Sequence, residues 1–171
     1  MIKIIGAMLI IGGATFSGLA VASGLSARAR ILRELSRLMD IIRAEICERL
    51  TPLDSLLVKL SEMSGEPWSD FFAGCASDMK LKRDTPFAII WSKRLAHSEA
   101  LRLRPSESEE ISALGNVLGR FSASEQGAAI SHTARSIDSM ATVAEREKEK
   151  LGKMYAKLGV ICGVAVVIVF I

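Results

Sequence analysis

Apolar side chains in the first charged stretch of the chain recur every three or four residues. They are Leu35, Leu38, Met39, Ile42, Ile46 and Leu50, and charged residues fill the positions around them. This spacing places the apolar residues on one face of a helix. No stretch shows the sustained alternation of apolar and polar residues that is typical of a strand. The pattern therefore predicts an all-α fold.

The segment after this first helix carries a signal for the start of a second one. In Thr51-Pro52-Leu53-Asp54, Thr51 has the side chain of an N-cap and Pro52 suits the first helical position. Asp54 lies three residues after the cap, where an acid completes a capping box. We expect the Thr51 hydroxyl to accept a hydrogen bond from a backbone amide at the start of this helix.

The other prolines mark further helix starts. Pro67 and Pro86 follow short polar segments, and Pro105 precedes Ser106 and Glu109, which are spaced as a capping box. With a further start near residue 124, these signals predict six helices at about 28–50, 52–63, 67–81, 86–99, 107–119 and 124–171. Because the connections are short, we expect a bundle of antiparallel neighbours.

Both ends of the chain are uncharged. The segment Ile4–Ala27 has 24 residues without a charge, and as a helix it would span about 36 Å, more than the roughly 30 Å of a hydrocarbon core. The segment Leu158–Ile171 is shorter, but adding residues 154–157 with a snorkelling Lys157 extends it to about 27 Å. We predict transmembrane helices at 1–27 and 158–171, the second continuous with the last bundle helix.

Two alternatives to these spans follow from the same residues. Ala20-Val21-Ala22 resembles a signal-peptide cleavage site, although one lysine precedes the run and the run is longer than a usual signal core. The last segment could instead be a core helix of a soluble fold. Since residues 164–171 have no polar face, a core would have to enclose them completely. The membrane interpretation is therefore favoured at both ends.

Basic residues flank both predicted spans, on the side of each span that faces the middle of the sequence. They are Arg28, Arg30, Arg33 and Arg37 after the first span, and Arg146, Lys148, Lys150, Lys153 and Lys157 before the second. Such flanks mark the cytoplasmic side of a membrane, and interspersed acids count little in that rule. We therefore expect 28–157 to be a cytosolic helical bundle held to the cell membrane at both ends.

Small residues recur at helical spacing within the predicted spans. They are Ala14, Gly18 and Ala22 in the first, and Gly159 and Gly163 in the second. Stripes of this kind let two membrane helices approach closely, although small residues are also common in such helices in general. The sequence leaves open whether the two spans pair with each other or with a partner.

Composition narrows the functional classes. The 171 residues fit one modest domain, and 22 Lys and Arg against 19 Asp and Glu give a net charge of only +3. With two Trp, one Tyr and six Phe, the chain offers little for stacking bases, so we expect no nucleic-acid binding. The three cysteines, Cys47, Cys75 and Cys162, form no motif and indicate a reduced, cytosol-facing domain.

The sequence offers no convincing catalytic or metal-binding motif. His97 and His132 have no Cys, Asp or Glu at metal-ligand spacing, and there is no phosphate-binding loop or nucleophile elbow. Glu45 and Glu48 are three residues apart on one helix, which is more typical of a solvated face than of a catalytic pair. Cys75 lies in an apolar stretch and is expected to be buried. We predict no catalytic residue, no cofactor and no metal.

Two charged clusters at predicted helix ends are candidates for partner docking. The acidic cluster is Glu107, Glu109 and Glu110, and the basic cluster is Lys80, Lys82 and Arg83. Charges at exposed helix ends steer partners toward a surface. They also cap helices and keep a surface soluble, which is the simpler interpretation for either cluster taken alone.

Several residues, in a fixed order, resemble one known family. They are Glu45-Ile46, Thr51-Pro52-Leu53, Trp91, Leu114-Gly115, Leu118-Gly119, Gln126, Ile130 and the segment Lys153-Met154-Tyr155-Ala156-Lys157-Leu158-Gly159. Together they make the chain similar to the stage III sporulation protein AB family over its whole length. Glu48 and Ser122 depart from the family pattern, in which Tyr and Asp are frequent at these positions.

The resemblance implies a part in the channel complex between mother cell and forespore of endospore-forming bacteria. It also implies a bundle similar to the cytoplasmic six-helix domain of the platform proteins of type II secretion and type IV pilus machines. Those platforms dock a hexameric secretion ATPase, which in the sporulation complex is stage III sporulation protein AA. The expected function is therefore a membrane platform in the mother-cell membrane around the forespore. The alternative is a membrane-tethered adaptor that binds a cytosolic signalling partner.

Overall fold

The computed structural model describes residues 2–118, 123–152, 154–155 and 161, with side chains from residue 13 onward except 14, 15 and 123–126. The described residues form six α-helices: α1 (Ile2–Cys47), α2 (Leu53–Met63), α3 (Trp68–Leu81), α4 (Phe87–Ala96), α5 (Pro105–Leu118) and α6 (Ala123–Glu147). A short 3-10 helix, Glu99–Leu101, follows α4, and a π-helical segment, Lys148–Gly152, follows α6. The predicted all-α fold is confirmed.

The chain falls into two compact units. The terminal unit consists of Met1–Ala29 and Thr142–Ile171, and the central unit consists of Arg30–Ala141. Short loops join successive helices of the central unit, and α2 packs on α3, α3 on α4, and α4 on α5. Such short connections force each helix to run back along its predecessor.

Helices α1 and α6 close the central unit by packing together. Arg33 of α1 pairs with Asp138 of α6 at 2.5 Å. At the other end of the same pair of helices, a Cβ placed on Gly127 would lie 3.1 Å from the sulfur of Cys47. The two helices are therefore antiparallel. We call the end of the central unit near Arg33 the entry end, and the end near Cys47 the far end.

An aromatic cluster forms the centre of the central unit. Trp68 and Trp91 are completely buried, and the rings of Phe71 and Trp91 meet edge to face with centroids 4.8 Å apart. The indole of Trp68 donates a hydrogen bond to the backbone carbonyl of Ile31 at 2.9 Å. Because a buried indole N–H needs an acceptor, this bond fixes α3 against α1 at the entry end.

In the terminal unit, the described residues also bring the two ends of the chain together. Arg28, whose side chain is only 9 % exposed, pairs with Glu147 at 2.6 Å. Closer to the chain ends, a Cβ placed on Gly152 would lie 4.0 Å from the Cβ of Ala22. This distance is an ordinary van der Waals contact, so the π-helical segment packs on α1 at this position.

Most predicted helix starts agree with the structure to within two residues, and several ends differ. The helix predicted at 28–50 is the last part of a helix that begins at Ile2 and ends at Cys47. The helix predicted at 86–99 stops at Ala96, and the chain continues into the 3-10 turn. The predicted 124–171 helix gives way to π-helical geometry at Lys148, and its later residues lie largely outside the described ranges.

No helix in the described part of the chain combines the length and the apolar character needed to cross a bilayer. The predicted span at 158–171 lies outside the described residues except for Ile161. The predicted span at 1–27 includes twelve leading residues whose side chains are not described. Both spans therefore stay predictions from the sequence.

Candidate functional site

A buried carboxylate ties the end of α1 to α2. Glu45 accepts hydrogen bonds from Lys59 at 2.7 Å and from the Thr51 hydroxyl at 2.7 Å, and Arg49 pairs with it at 2.5 Å. The bonds from Lys59 and Thr51 lower the pKa of Glu45 from 4.5 to about 2, so the side chain is ionised at neutral pH. The three donors satisfy a charge that would otherwise be costly to bury.

This cluster corrects two expectations. Glu45 was expected on a solvated face with Glu48, but Glu45 is buried and Glu48 alone is exposed. Thr51 was expected to cap α2, but α2 begins at Leu53 after Pro52 and has no side-chain cap bond. The Thr51 hydroxyl donates to Glu45 instead. Because Pro52 is the residue that directly precedes α2, Thr51 lies one residue too early to cap it.

A second ion cluster joins α3 to α4. The guanidinium of Arg94 donates to Asp78 at 2.7 Å, and Lys82 pairs with the same carboxylate at 3.1 Å. These bonds hold the pKa of Asp78 below its usual value. Burial raises the pKa of the neighbouring Cys75 thiol to about 12, so Cys75 is a protonated, inert core residue, as the sequence predicted.

The acidic candidate cluster is not a single exposed surface. Glu107 is buried and accepts a hydrogen bond from the backbone N–H of Arg104 at 2.8 Å. It therefore lies three residues after the cap of α5, the role that the Ser106–Glu109 spacing predicted for Glu109. Glu109 is exposed and Glu110 is half-buried. Glu107 thus stabilises the start of α5. Only Glu109 and Glu110 remain candidates for partner docking.

The basic candidate cluster is exposed at the far end, because α3 begins beside Ile31 near the entry end and runs from there to Leu81. Lys80 and Arg83 are exposed, and the Lys82 side chain is 56 % exposed despite its bond to Asp78. Between them, Leu81 is 78 % exposed, more than any other large apolar side chain that the structure describes. Leu81 was not predicted from the sequence, where only the charges of this segment indicated a docking role. An apolar residue inside Lys-Leu-Lys-Arg at a helix end was the available signal.

Two other large apolar side chains are exposed in segments that belong to the same end of the central unit. Leu50, 68 % exposed, follows α1 in the left-handed region at φ 52°, and Ile89 lies in the first turn of α4. The far end therefore presents exposed Leu50, Leu81 and Ile89. We call this set, with Lys80, Lys82 and Arg83, the far-end surface.

The remaining predicted site residues are not brought into one place by the described structure. Gly18 and Ala22 are half-buried in α1. The side chain of Ala14 and the residues Gly159 and Gly163 lie outside the described set. The proposed packing stripe is therefore described only at the Ala22 end, where it meets Gly152.

Two open clefts lie beside the turn between α4 and α5. The larger, about 360 Å³, is lined by residues that include Asp70, Arg94, His97 and Glu99. Arg94 already bonds Asp78, and the imidazole of His97 contacts the backbone carbonyl of its own helix at Lys93. Neither cleft contains a predicted site residue. Within the described part of the chain, no three metal-ligating side chains come together.

Comparison with known proteins decides the family. The family model described as stage III sporulation protein AB matches residues 3–171. The chain belongs to the stage III sporulation protein AB family. The resemblance read from the sequence is thereby confirmed, and with it a role in sporulation.

One curated relative supports the same family, and one solved structure supports the fold. Stage III sporulation protein AB of Bacillus subtilis (strain 168) is 25 % identical over 169 residues, which cover 98 % of each chain. A solved structure of a stage III sporulation protein AB has a TM-score of 0.66 at 22 % identity and covers 72 % of this chain and 98 % of its own. The similarity to the solved structure concerns the fold alone.

Proposed function

We propose that this sporulation protein is a non-enzymatic membrane platform in the channel complex between mother cell and forespore. In this role the central unit docks a cytosolic secretion ATPase, stage III sporulation protein AA. The chain is anchored by its two ends in the mother-cell membrane around the forespore. Family membership supports the sporulation role, and the far-end surface and the uncharged chain ends support docking and anchoring.

The far-end surface carries this proposal. The buried carboxylates Glu45 and Glu107 are engaged in holding helices and helix starts, and Asp78 joins two helices. Among the described residues, no buried polar side-chain atom lacks a hydrogen-bond partner. In contrast, Leu50, Leu81 and Ile89 are left in solvent at the far end, and a docked partner would remove them from water.

The position of this surface also suits docking. The chain enters and leaves the central unit near Arg33 and Asp138, at the entry end. The far-end surface lies at the opposite end of the central unit, away from the residues at which the chain enters and leaves this unit.

Membrane attachment is supported by the sequence. The uncharged run Ile4–Ala27 is long enough to cross a bilayer as a helix. Basic residues follow this run and precede the apolar C-terminal segment, which favours a cytosolic central unit. In this arrangement the far-end surface faces a cytosolic partner.

Cross-linking in sporulating cells tests the platform role. The full-length protein, purified after mild cross-linking, is expected to carry stage III sporulation protein AA with it. A matched purification from cells that lack the ATPase identifies non-specific species. If the ATPase never co-purifies and a signalling protein does, the platform proposal fails and the adaptor alternative replaces it.

A further inference from the structure

The segment Lys80–Arg83 has a composition that points to a specific kind of partner. Leu81 ends α3 and is 78 % exposed, and cations stand on both sides of it along the chain. In the described ranges neither Lys80 nor Arg83 forms an ion pair. Lys82 shares the Asp78 carboxylate with Arg94. The segment therefore presents one apolar side chain surrounded by positive charge.

The fold holds this segment in place. Lys82 and Arg94 both bond Asp78, which lies one turn before Lys82. The backbone N–H of Lys82 donates to the carbonyl of Asp78 at 2.8 Å, and that of Thr85 donates to the carbonyl of Lys82 at 3.0 Å. These bonds order the residues around Leu81 before any partner arrives. Ordering in advance lowers the entropic cost of binding.

The start of α3 shows that the segment belongs to the far end. Trp68, the first residue of α3, bonds to Ile31 of α1 close to the entry end. The 14 residues of α3 rise about 20 Å along the helix axis. The hydroxyl of Ser69 donates to the carbonyl of Ser61 at 2.8 Å, so α3 turns back along α2 from the entry end. Leu81 therefore projects from the opposite end.

We propose that the segment Lys80–Arg83 is the docking contact of the platform and binds an acidic protein surface with an apolar socket for Leu81. This inference rests on the proposed function, since the partner surface belongs to the docked ATPase. Carboxylates around the socket pair with Lys80 and Arg83, while the socket removes Leu81 from water. Charge gives such a contact its association rate and specificity, and the buried apolar side chain slows dissociation.

A lipid surface is the competing occupant, and the composition favours a protein. The segment has one apolar residue and no aromatic, whereas interfacial membrane contacts use an extended apolar face with Trp or Phe. Asp84 follows directly and is exposed, and an acid there would be repelled by anionic lipid. The same acid is compatible with a mixed protein interface.

Affinity measurements on the full-length protein test the inference. The protein is inserted into nanodiscs of phosphatidylcholine, and its binding to purified stage III sporulation protein AA is measured. We expect Leu81→Ala to weaken binding about tenfold, because it removes most of an apolar side chain from the socket. Lys80→Glu and Arg83→Glu are each expected to weaken binding and to reduce its dependence on salt.

Matched control variants lie elsewhere on the same unit. Met63 is 55 % exposed at the end of α2, and Lys93 is exposed on α4. Met63→Ala and Lys93→Glu repeat the two kinds of change away from the segment. Both are expected to bind the ATPase like the unaltered protein. Equal circular dichroism and unfolding midpoints for all variants establish that the fold is retained.

Each contrary outcome identifies a different error. If the unaltered protein does not bind the ATPase, the proposed function itself is wrong. If it binds, and Leu81→Ala and the two charge reversals bind equally well, the platform remains but this docking contact is wrong. If the reversals matter only when phosphatidylglycerol is added to the nanodiscs, the segment contacts lipid and the proposed protein contact is overturned.

Discussion

Gly115 of α5 lies directly against the indole ring of Trp91 in α4. A Cβ placed on Gly115 would stand 2.6 Å from Cδ1 of that ring and 2.9 Å from the Cβ of Trp91. The indole N–H donates to the carbonyl oxygen of Ile111, one turn earlier in α5, at 2.9 Å. The glycine and the hydrogen bond together allow the two helices to pack with the tryptophan completely buried between them.

Gly115→Ala is therefore expected to destabilise the protein although alanine is the better helix former. The added methyl group meets the rigid root of the indole, and relief requires a shift of α4 or of the Trp91 ring. Overpacking of this kind costs about 1–3 kcal/mol, more than the roughly 1 kcal/mol gained from helix propensity. Chemical denaturation followed by tryptophan fluorescence gives the change in free energy of unfolding.

Gly74 provides a matched control for this substitution. A Cβ placed on Gly74 would also come within 2.6 Å of a side chain, but that atom is Nη1 of Arg94. A guanidinium at the end of a flexible side chain can move aside. Gly74→Ala is thus expected to cost clearly less than Gly115→Ala. Equal losses at the two positions would contradict the argument from rigid and flexible neighbours.

The Glu45 cluster predicts a loss of stability in acid. Because the pKa of Glu45 falls from 4.5 in its ordinary state to about 2 in the fold, the unfolded chain takes up the proton first as pH decreases. The stabilisation from Glu45 is therefore fully present above about pH 4.5 and is lost as pH falls towards about pH 2. In Glu45→Gln, the free energy of unfolding should fall less steeply over this range.

Two further variants separate the contributions to this cluster. Thr51→Ala removes one donor and should raise the pKa of Glu45, while Thr51→Ser keeps the hydroxyl and should leave the pKa unchanged. Carbon-13 chemical shifts of the labelled carboxyl group report the titration directly. A Glu45 that titrates near pH 4.5 in the unaltered protein would show that the described bonds do not form in solution.

Cysteine cross-linking tests the close approach of the two chain ends in the terminal unit. The distance of 4.0 Å between the Cβ of Ala22 and a Cβ on Gly152 lies within the range of about 3.5–4.5 Å found in disulfides. In a background without native cysteines, Ala22→Cys with Gly152→Cys should form an intramolecular disulfide under mild oxidation. Gel mobility with and without reductant measures the yield.

Val21 is the control position for this experiment, because it is the exposed neighbour of Ala22 on the same helix. Adjacent residues on a helix point about 100° apart. Val21→Cys with Gly152→Cys should therefore cross-link much less. Equal yields, or disulfides between two molecules only, would exclude the described packing of Ala22 on Gly152.

The proposed membrane orientation predicts which positions an external reagent can reach. Ser106 is exposed at the start of α5, and Ser64 follows α2. In a background without native cysteines, produced in the cell membrane of non-sporulating cells, Ser106→Cys and Ser64→Cys should react with a membrane-impermeant maleimide only after cells are opened. Labelling of either position in intact cells would reverse the orientation and remove a cytosolic ATPase as a partner.

The helix starts were predictable from the sequence because proline carries a local signal. Pro52, Pro67 and Pro86 each stand immediately before a helix, and Pro105 is the first residue of another. The side chain that completes a cap was less predictable. The predicted start of α5 was two residues too late, and this error moved the capping role from Glu107 to Glu109. Local pattern sets where a helix begins, but the exact cap depends on backbone geometry.

The ion clusters were not predictable from spacing along one helix. Glu45 draws its main donor, Lys59, from α2, so its burial depends on a tertiary contact. One signal was present, because Glu45 lies three residues after Ile42 and directly before Ile46, on the edge of the apolar face. The charge of Glu45 alone suggested a solvated position. Glu45 is buried instead because Lys59 on α2 pairs with it.

The pairing of α1 with α6 has a consequence for synthesis of the protein on the ribosome. Helices α2 to α5 contact their sequence neighbours, so each pair can form soon after it emerges. The pairing of Arg33 with Asp138 instead joins residues 105 positions apart. One face of α1 thus stays uncovered until nearly the whole chain has been made, and a chain stopped before α6 would expose that face to chaperones and proteases.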